Sequence, residues 1–321
     1  MKRIVSILLV LSILFLFSCA QTPIDNKSNV GENNKNDRPS DSKILIYYQD
    51  EEGYRSPGME AVSAYLEREN ATFKSSALLS LDMSLPSAQT QIDKPDTTPS
   101  KMTFNFFGTE YEVEHKKTYR CAISVANDEK LKKISMFDVF SSDDLFIHYR
   151  SNTDDIIYIS FDNLLDYVPK ESLSEEELIT IVQNKLGETY GEEYIENYEF
   201  ESCQRHTKYE YYYVKLARYI HGYRSGDFIK VAIYPDGTLL SWSFNHKGIY
   251  DDVEANVSKE AIDKAYKYMK ETIEDERLTL IEGMTKIWVN YDGEYYLQVC
   301  AKPQDKPYAE LYYYANLNQF N

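Results

Sequence analysis

The sequence predicts an α+β fold: duplicated units of antiparallel sheet, each packed on one helix, preceded by a smaller mixed α/β N-terminal segment. Two observations predict it. Tyrosine is abundant, 29 residues against 12 glycines and 10 prolines, a balance that favours sheet faces over glycine-rich loops. The chain also resembles itself: "LFIHYRSNTDDIIYISF" (145–161) precedes "SLSEEELITIVQNKL", and "FIKVAIYPDGTLLSWSF" (228–244) precedes "NVSKEAIDKAYKYMKETI". Phe161 then corresponds to Phe244 and Ser174 to Ser258, at nearly one spacing, which argues for a repeated unit.

In chain order, Lys2 and Arg3 precede an apolar run from Ile4 to Phe17 broken only by Ser6 and Ser12. This is the pattern of a secretory signal peptide, over residues 1–18. The run is short for a bilayer-spanning helix, which needs roughly 20 residues. Its end, Leu16-Phe17-Ser18-Cys19, resembles the bacterial lipobox, and that likeness implies cleavage before Cys19 and acylation of the cysteine. Residues 19–42 then hold the lipidated cysteine and a flexible spacer, since "AQTPIDNKSNVGENNKNDRPSDS" has almost no large apolar side chains to offset the entropy of ordering it. The expected location is the outer face of the cell membrane, with the lipid anchor at Cys19 as the membrane contact.

Residues 43–135 form the N-terminal α+β segment. It opens with a strand over Lys43–Tyr48 and a helix over Ser56–Asn70, where Ser56 can cap, Pro57 suits the first turn and Met59, Val62 and Leu66 recur at three and four residues. The polar stretch Pro86–Lys101 reads as a long loop. "MTFNFFGTEYEVEHK" reads as a hairpin turning at Gly108, with Phe104 and Phe106 on one face before the turn and Tyr111 and Val113 after it.

The first repeated unit is placed at 136–222 and the second at 223–321. In the first, a hairpin turns near Asn152–Asp155 and a helix starts at Ser174, whose hydroxyl and Glu177 three residues on make a capping box. Leu178, Ile181, Val182 and Leu186 form its apolar stripe. In the second, a hairpin turns at Pro235-Asp236-Gly237 and Ser258 caps a helix striped by Ala261, Ile262, Ala265, Tyr266, Met269 and Ile273. Strands follow each helix: Glu210–His221 after the first, and "KIWVNYDGEYYLQVC" (286–300), turning at Asp292-Gly293, after the second. Within Tyr211–His221 one face carries Tyr212, Val214, Leu216 and Ile220, broken by Arg218. The other carries Tyr211, Tyr213, Lys215, Ala217, Tyr219 and His221, as a half-exposed sheet requires. Tyr211, Tyr213, Tyr219 and His221 are the expected interaction surface.

The formal charge of −17 repels phosphate backbones, and with no basic patch it argues against nucleic-acid binding. Besides Cys19 the cysteines are Cys121, Cys203 and Cys300, so at most one internal disulfide can form, and no pair is selected by the sequence. No His-Glu-x-x-His, Gly-x-Ser-x-Gly or phosphate-cradling loop occurs. Cys203-Gln-Arg-His206 is half of a zinc pattern without its second half, and Asp251, Asp252 and Glu254 are too few and too close for a calcium loop. A cysteine–histidine nucleophile would have to be assembled from Cys121, Cys203 or Cys300 with His115, His148, His206, His221 or His246, and no local signature marks one. The expectation is no catalytic residue, no metal, no cofactor and no enzyme.

"YVKLARYIHGY" (213–223), "IKVAIYPDGTLLSW" (229–242) and "VSKEAI" (257–262) together resemble the PepSY domain and its relatives in Gram-positive envelope lipoproteins. "RSNTDDIIYIS" followed by "LSEEELI" is a weaker copy, with glutamates where alanine is usual. The likeness covers about 145–301 and extends to uncharacterised secreted lipoproteins with tandem PepSY-like units. It implies a non-enzymatic cell-surface lipoprotein acting by protein interaction, with an envelope peptidase, receptor or sensor as partner. The alternative reading is an extracellular peptide- or glycan-binding lipoprotein that uses its exposed tyrosines.

Overall fold

The computed structural model describes residues 44–50, 89–121, 128–164, 167–170, 172–275, 278–289, 292–303 and 309–321. The expected signal peptide, the Cys19 anchor, the spacer and the helix over 56–70 lie outside them. Among the described residues the architecture is mixed α/β, mostly strands, with two long helices. The described residues fall into two compact units, one of 89–254 with 292–293 and one of 44–50, 255–289 and 294–321. Among them no helix is long and apolar enough to cross a membrane.

β1 (Ile44–Asp50) belongs to the second unit. The first unit contains β2 (Gln89–Ile92), β3 (Lys101–Phe106), β4 (Thr109–Cys121), β5 (Met136–Ser141), β6 (Leu145–Arg150) and β7 (Asp155–Phe161). Helix α1 (Glu175–Tyr190) follows, then β8 (Tyr198–Arg205), β9 (Tyr212–Ile220), β10 (Tyr223–Ile233) and β11 (Leu239–Phe244). All pair antiparallel, in the order β8-β9-β10-β11-β7-β6-β5-β4, and β4 carries β3 along its first half and β2 along its second. The stretch 86–101, expected to be a loop, is thus interrupted by β2, whose polar Gln-Thr-Gln-Ile sequence is too short to show a strand pattern but pairs with Thr118–Cys121.

One face of this sheet is apolar. Leu145, Ile147, Ile159, Val214, Leu216, Ile229, Val231, Trp242 and Phe244 lie in a single cluster with Leu178, Val182 and Leu186 of α1. The helix starts where the capping box places it: the Ser174 hydroxyl accepts from the Glu177 amide at 3.3 Å, and the Glu177 carboxylate accepts from the Ser174 amide at 2.8 Å. The predicted stripe is buried except for Ile181, which is half-buried. The β3–β4 hairpin covers the same face, because Phe106 reaches Phe161 and Trp242 with ring centres 6.0 and 6.1 Å apart.

Two corrections concern organisation. His221 and Gly222 both have positive φ, 50° and 84°, and form a two-residue turn that pairs Ile220 with Tyr223. The expected boundary between residues 222 and 223 therefore falls in the tip of one hairpin. The hairpin 228–244, expected to form a unit with the helix after it, belongs to the first unit, since its Ile229, Val231 and Trp242 are buried with α1. The second unit consists of helix α2 (Lys259–Asp275), β12 (Leu278–Leu280), β13 (Lys286–Val289), β14 (Tyr295–Pro303), β15 (Ala309–Asn316) and β1, in the antiparallel order β1-β15-β14-β13, with β12 on β14. There α2 lies against β12, β14 and β15, and Ala261, Ile262, Ala265 and Met269 are buried. The Ser258 hydroxyl caps it by accepting from the Ala261 amide at 3.1 Å.

The turn at Pro235-Asp236-Gly237 is held against the approach to α1, where the Leu173 amide donates to the Pro235 carbonyl at 2.8 Å. Gly237 has φ of 84°, and a Cβ there would lie 2.7 Å from Ile181 Cδ1. The isoleucine can swing aside, so backbone strain dominates. Gly237→Ala is expected to lower stability by about 1 kcal/mol or more, read from the urea midpoint, and an unchanged midpoint would refute this account of the turn.

Candidate functional site

The sheet face opposite α1 is the amphipathic one, and neighbouring strands set side chains there in rows. Lys215 faces Lys230, Lys230 faces Ser243, Ser243 faces Tyr158, and Tyr158 faces His148. A second row runs Tyr213, Ala232, Ser241, Ser160, Phe146. At the β9 end this becomes a strip of aromatic rings and lysines. Lys230 Nζ sits 3.6 Å above the centre of the Tyr213 ring and Lys215 Nζ 4.3 Å above that of Phe228. Burial and the neighbouring Lys215 hold the Lys230 amine down at about 8. Lys215 is balanced by Glu201, 2.8 Å away, which also takes a two-pronged contact from Arg224 at 2.6 and 3.0 Å. Burial pushes the Glu201 carboxyl up, but these hydrogen bonds and charges outweigh it and hold it at about 2.

The structure splits the expected surface. Tyr211 and Tyr213 are together, their hydroxyls 3.2 Å apart, with the His206 ring 4.8 and 5.6 Å from theirs. Tyr211 is 3% exposed, which corrects the expectation that it faces solvent: it packs with Ala232, Tyr234 and Leu240, and Tyr209 stacks parallel to it at 5.8 Å. Tyr219 and His221 stand six and eight positions beyond Tyr213, about 20 Å or more along the chain at 3.3 Å per residue, and belong to no common site with it. The signal that was missed is Tyr209, exposed in the turn before β9.

The other residues singled out in the sequence are used locally. His206 Nδ1 accepts from the amides of Lys208 and Tyr209 at 3.0 and 3.2 Å. Cys121, Cys203 and Cys300 are all thiols, and Cys121 Sγ donates to the Ser135 carbonyl. Asp251 and Asp252 receive Arg218 and Lys130, each at 2.5 Å. His148 is stacked on Phe137 at 4.8 Å, and burial lowers it to about 3. His115 Nε2 lies 3.1 Å from Thr118 Oγ1 and 3.3 Å from Asp138 Oδ1, in a cluster where Thr98, Thr118 and Ser151 also donate to Asp138. Among the described residues no three histidine, cysteine or carboxylate side chains are grouped to hold a metal ion.

Behind the strip lies a buried ionic cluster that sequence reading did not assemble. A bulge in β10 takes Ser225-Gly226-Asp227 out of the ladder with β9. Asp227, with no exposed surface, accepts from the Tyr198 hydroxyl at 2.6 Å and the His246 amide at 3.1 Å. Arg218 pairs with Asp251, Lys247 Nζ pairs with Asp155 at 2.5 Å and lies 4.6 Å over the Tyr194 ring, and Arg150 Nη1 donates to the Lys247 carbonyl at 2.7 Å. Burial raises Asp227 to about 6, against the opposing pull of the Tyr198 hydroxyl, Arg218 and the His246 amide. The only signal in the sequence was Arg218 interrupting an apolar strand face.

No family model matches the chain, and no curated protein matches it. Among solved structures, the Bacillus megaterium YpeB C-terminal domain is similar at 11% identity over 78% of this chain and 96% of that one, with a TM-score of 0.30. A likeness so slight carries neither fold nor function to this chain.

Because Asp227 binds its proton more tightly folded than unfolded, its contribution to stability is full below pH 3.8 and is lost as pH rises through about 6. The loss amounts to roughly 3 kcal/mol. Asp227→Asn is therefore expected to flatten the stability profile between these limits. Unfolding midpoints measured at intervals across that range would show it, and profiles of equal slope for both proteins would contradict the assignment.

Proposed function

We propose that the chain is a lipid-anchored, non-enzymatic, PepSY-like lipoprotein at the outer face of the cell membrane that acts by protein interaction and modulates an envelope peptidase or sensor. The observation that carries this reading is the strip of Tyr213, Lys215, Phe228 and Lys230 on the sheet face opposite α1. Rings with lysines laid across them combine apolar area with positive charge in a chain of net charge −17, the composition of a contact for an acidic surface. The anchor rests on the sequence through Cys19. Tyr209, 44% exposed and stacked on Tyr211, favours a second reading in which a sugar ring or a peptide side chain stacks at the same end of the sheet.

Two measurements test these statements. Cys19→Ser is expected to move the protein from the membrane fraction to the medium; equal retention of both forms would remove the lipid anchor. For the contact, wild type and Lys230→Glu are immobilised and exposed to solubilised envelope extract, and retained proteins are quantified. A partner enriched on wild type, lost on Lys230→Glu, and bound more weakly as pH rises through 8 is the expected result. Equal retention by the two proteins would move the contact elsewhere, and no retention by either would overturn the protein-interaction reading in favour of Tyr209 and small ligands.

A further inference from the structure

The α1 side of the first sheet holds a second feature, independent of the strip. Its cover is divided between α1 and the β3–β4 hairpin, and between the two runs an open groove of about 460 Å³. Phe104, Phe106 and Ile156 line it with apolar surface, Lys185, Glu188 and Thr189 of α1 form one rim, and Phe107 and Gly108 stand at the hairpin tip. Lys185 is paired with Glu188 at 3.1 Å and reaches over the Phe107 ring at 4.4 Å.

The other rim is the edge of β3. Among the described residues β3 pairs with β4 alone, in unbroken register from Lys101–Glu114 to Phe106–Thr109. The Phe106–Thr109 pair flanks a two-residue turn and exchanges its hydrogen bonds across the hairpin. By alternation the N–H and C=O groups of Thr103 and Asn105 point away from β4. Asn105 lines the groove. An edge left this way is a template for another strand, and proteins ordinarily blunt it with bulges, charges or proline. β8, at the opposite margin of the same unit, is blunted: it carries a register shift between Phe200 and Ser202 and exposes Glu199, Glu201 and Arg205. β3 has no bulge and no proline, and Lys101 at its start is its one charge.

The turn beside it is also unfavourable by its own chemistry. Phe107 and Gly108 have φ of 55° and 81°, the conformation that asparagine–glycine adopts at least cost, yet the first position holds a phenylalanine that is 37% exposed. A bulky residue kept in that region at the mouth of a groove points to use rather than to stability.

We propose that an extended peptide segment of another protein adds to β3 as a further strand, pairing with the backbone of Thr103 and Asn105 and laying an apolar side chain between Phe107 and α1 onto Phe104, Phe106 and Ile156. The occupant is a peptide because the open groups form a backbone pattern that only a backbone matches along its length, while the groove takes alternate side chains. The polar α1 rim, with one charge of each sign, selects a segment without strong net charge.

The test is selection of a phage-displayed random dodecapeptide library on the full chain, followed by synthesis of enriched peptides with single N-methyl groups at successive residues. The expected result is peptides with alternating apolar residues whose binding falls about tenfold, the order of one lost backbone hydrogen bond, when alternate amides are methylated and stays unchanged at the amides between. Asn105→Pro removes an N–H that β4 does not use, so it is expected to weaken binding similarly while the hairpin persists. Slowed hydrogen exchange at Thr103 and Asn105 in the wild-type complex gives the same answer without a substitution. No enriched peptide, or binding indifferent to methylation with exchange at Thr103 and Asn105 unchanged, would overturn the proposal.

Discussion

A sheet whose one face is apolar cannot stand alone, and in the first unit that requirement converges on Trp242. The indole lies 6.1 Å from Phe106 of the β3–β4 hairpin and 5.9 Å from Phe161 of β7, while its Nε1 donates to the Tyr190 hydroxyl of α1 at 2.7 Å. Tyr190 in turn donates to the Ile156 carbonyl at 3.1 Å. A large apolar surface with one polar atom can be buried only where that atom finds a partner, so the tryptophan fixes helix, hairpin and sheet against one another. The division of the cover follows. A helix of 16 residues spans about 24 Å, too little for the whole width of the sheet, and the hairpin takes the remainder. The seam between two covers that do not interlock is the groove.

The same constraint leaves the opposite face amphipathic. Strands that bury Val214, Leu216, Ile229 and Val231 on one side must present Tyr213, Lys215, Phe228 and Lys230 on the other, because the side-chain period is two. Tyrosine, phenylalanine and lysine suit such a surface: each carries apolar area that can lie flat, and the lysines set their charge over the ring faces.

What was legible in the sequence was what local chemistry decides. The hairpins turning at Gly108 and at Pro235-Asp236-Gly237 and the capping box at Ser174 depend on residues within a few positions of one another, and each stands where the pattern put it. What was not legible depended on distant partners. β2 is four mostly polar residues that become a strand only because β4 offers an edge. The turn at His221-Gly222 was hidden because histidine is uncommon at positive φ and the alternation continues across it. Hairpin 228–244 shares an apolar pattern with 145–161, but a pattern says that a face must be buried and not against which helix, and the choice of α1 is made by packing. The outer strip was half legible: Tyr213 was read from alternation, whereas the burial of Tyr211 follows from Tyr234, just past β10, and Leu240 of β11, which periodicity cannot place beside it.

Arg150, Arg218, Asp227 and Lys247 are all buried, and their desolvation makes them poor sources of net stability even when paired. Their effect is on register. Arg218 stands on a strand whose neighbours Val214, Leu216 and Ile220 are fully buried, and it is tolerated there because Asp251 meets its guanidinium. A slip of β9 by one residue would expose those three side chains and also remove the one cation that faces Asp251 from this strand. Apolar burial alone penalises the slip in proportion to area. The ion pair adds to that penalty, since the slip parts Arg218 from Asp251 and leaves the carboxylate to water and to the Tyr194 hydroxyl at 3.4 Å. The bulge that carries Asp227 acts on β10 in the same sense: its carboxylate is met by Tyr198 and the His246 amide only when three residues stand out of the ladder. The buried ions thus hold the two strands that present the outer strip in a single alignment, and the positions of Tyr213 and Lys230 on the far face are set from the interior.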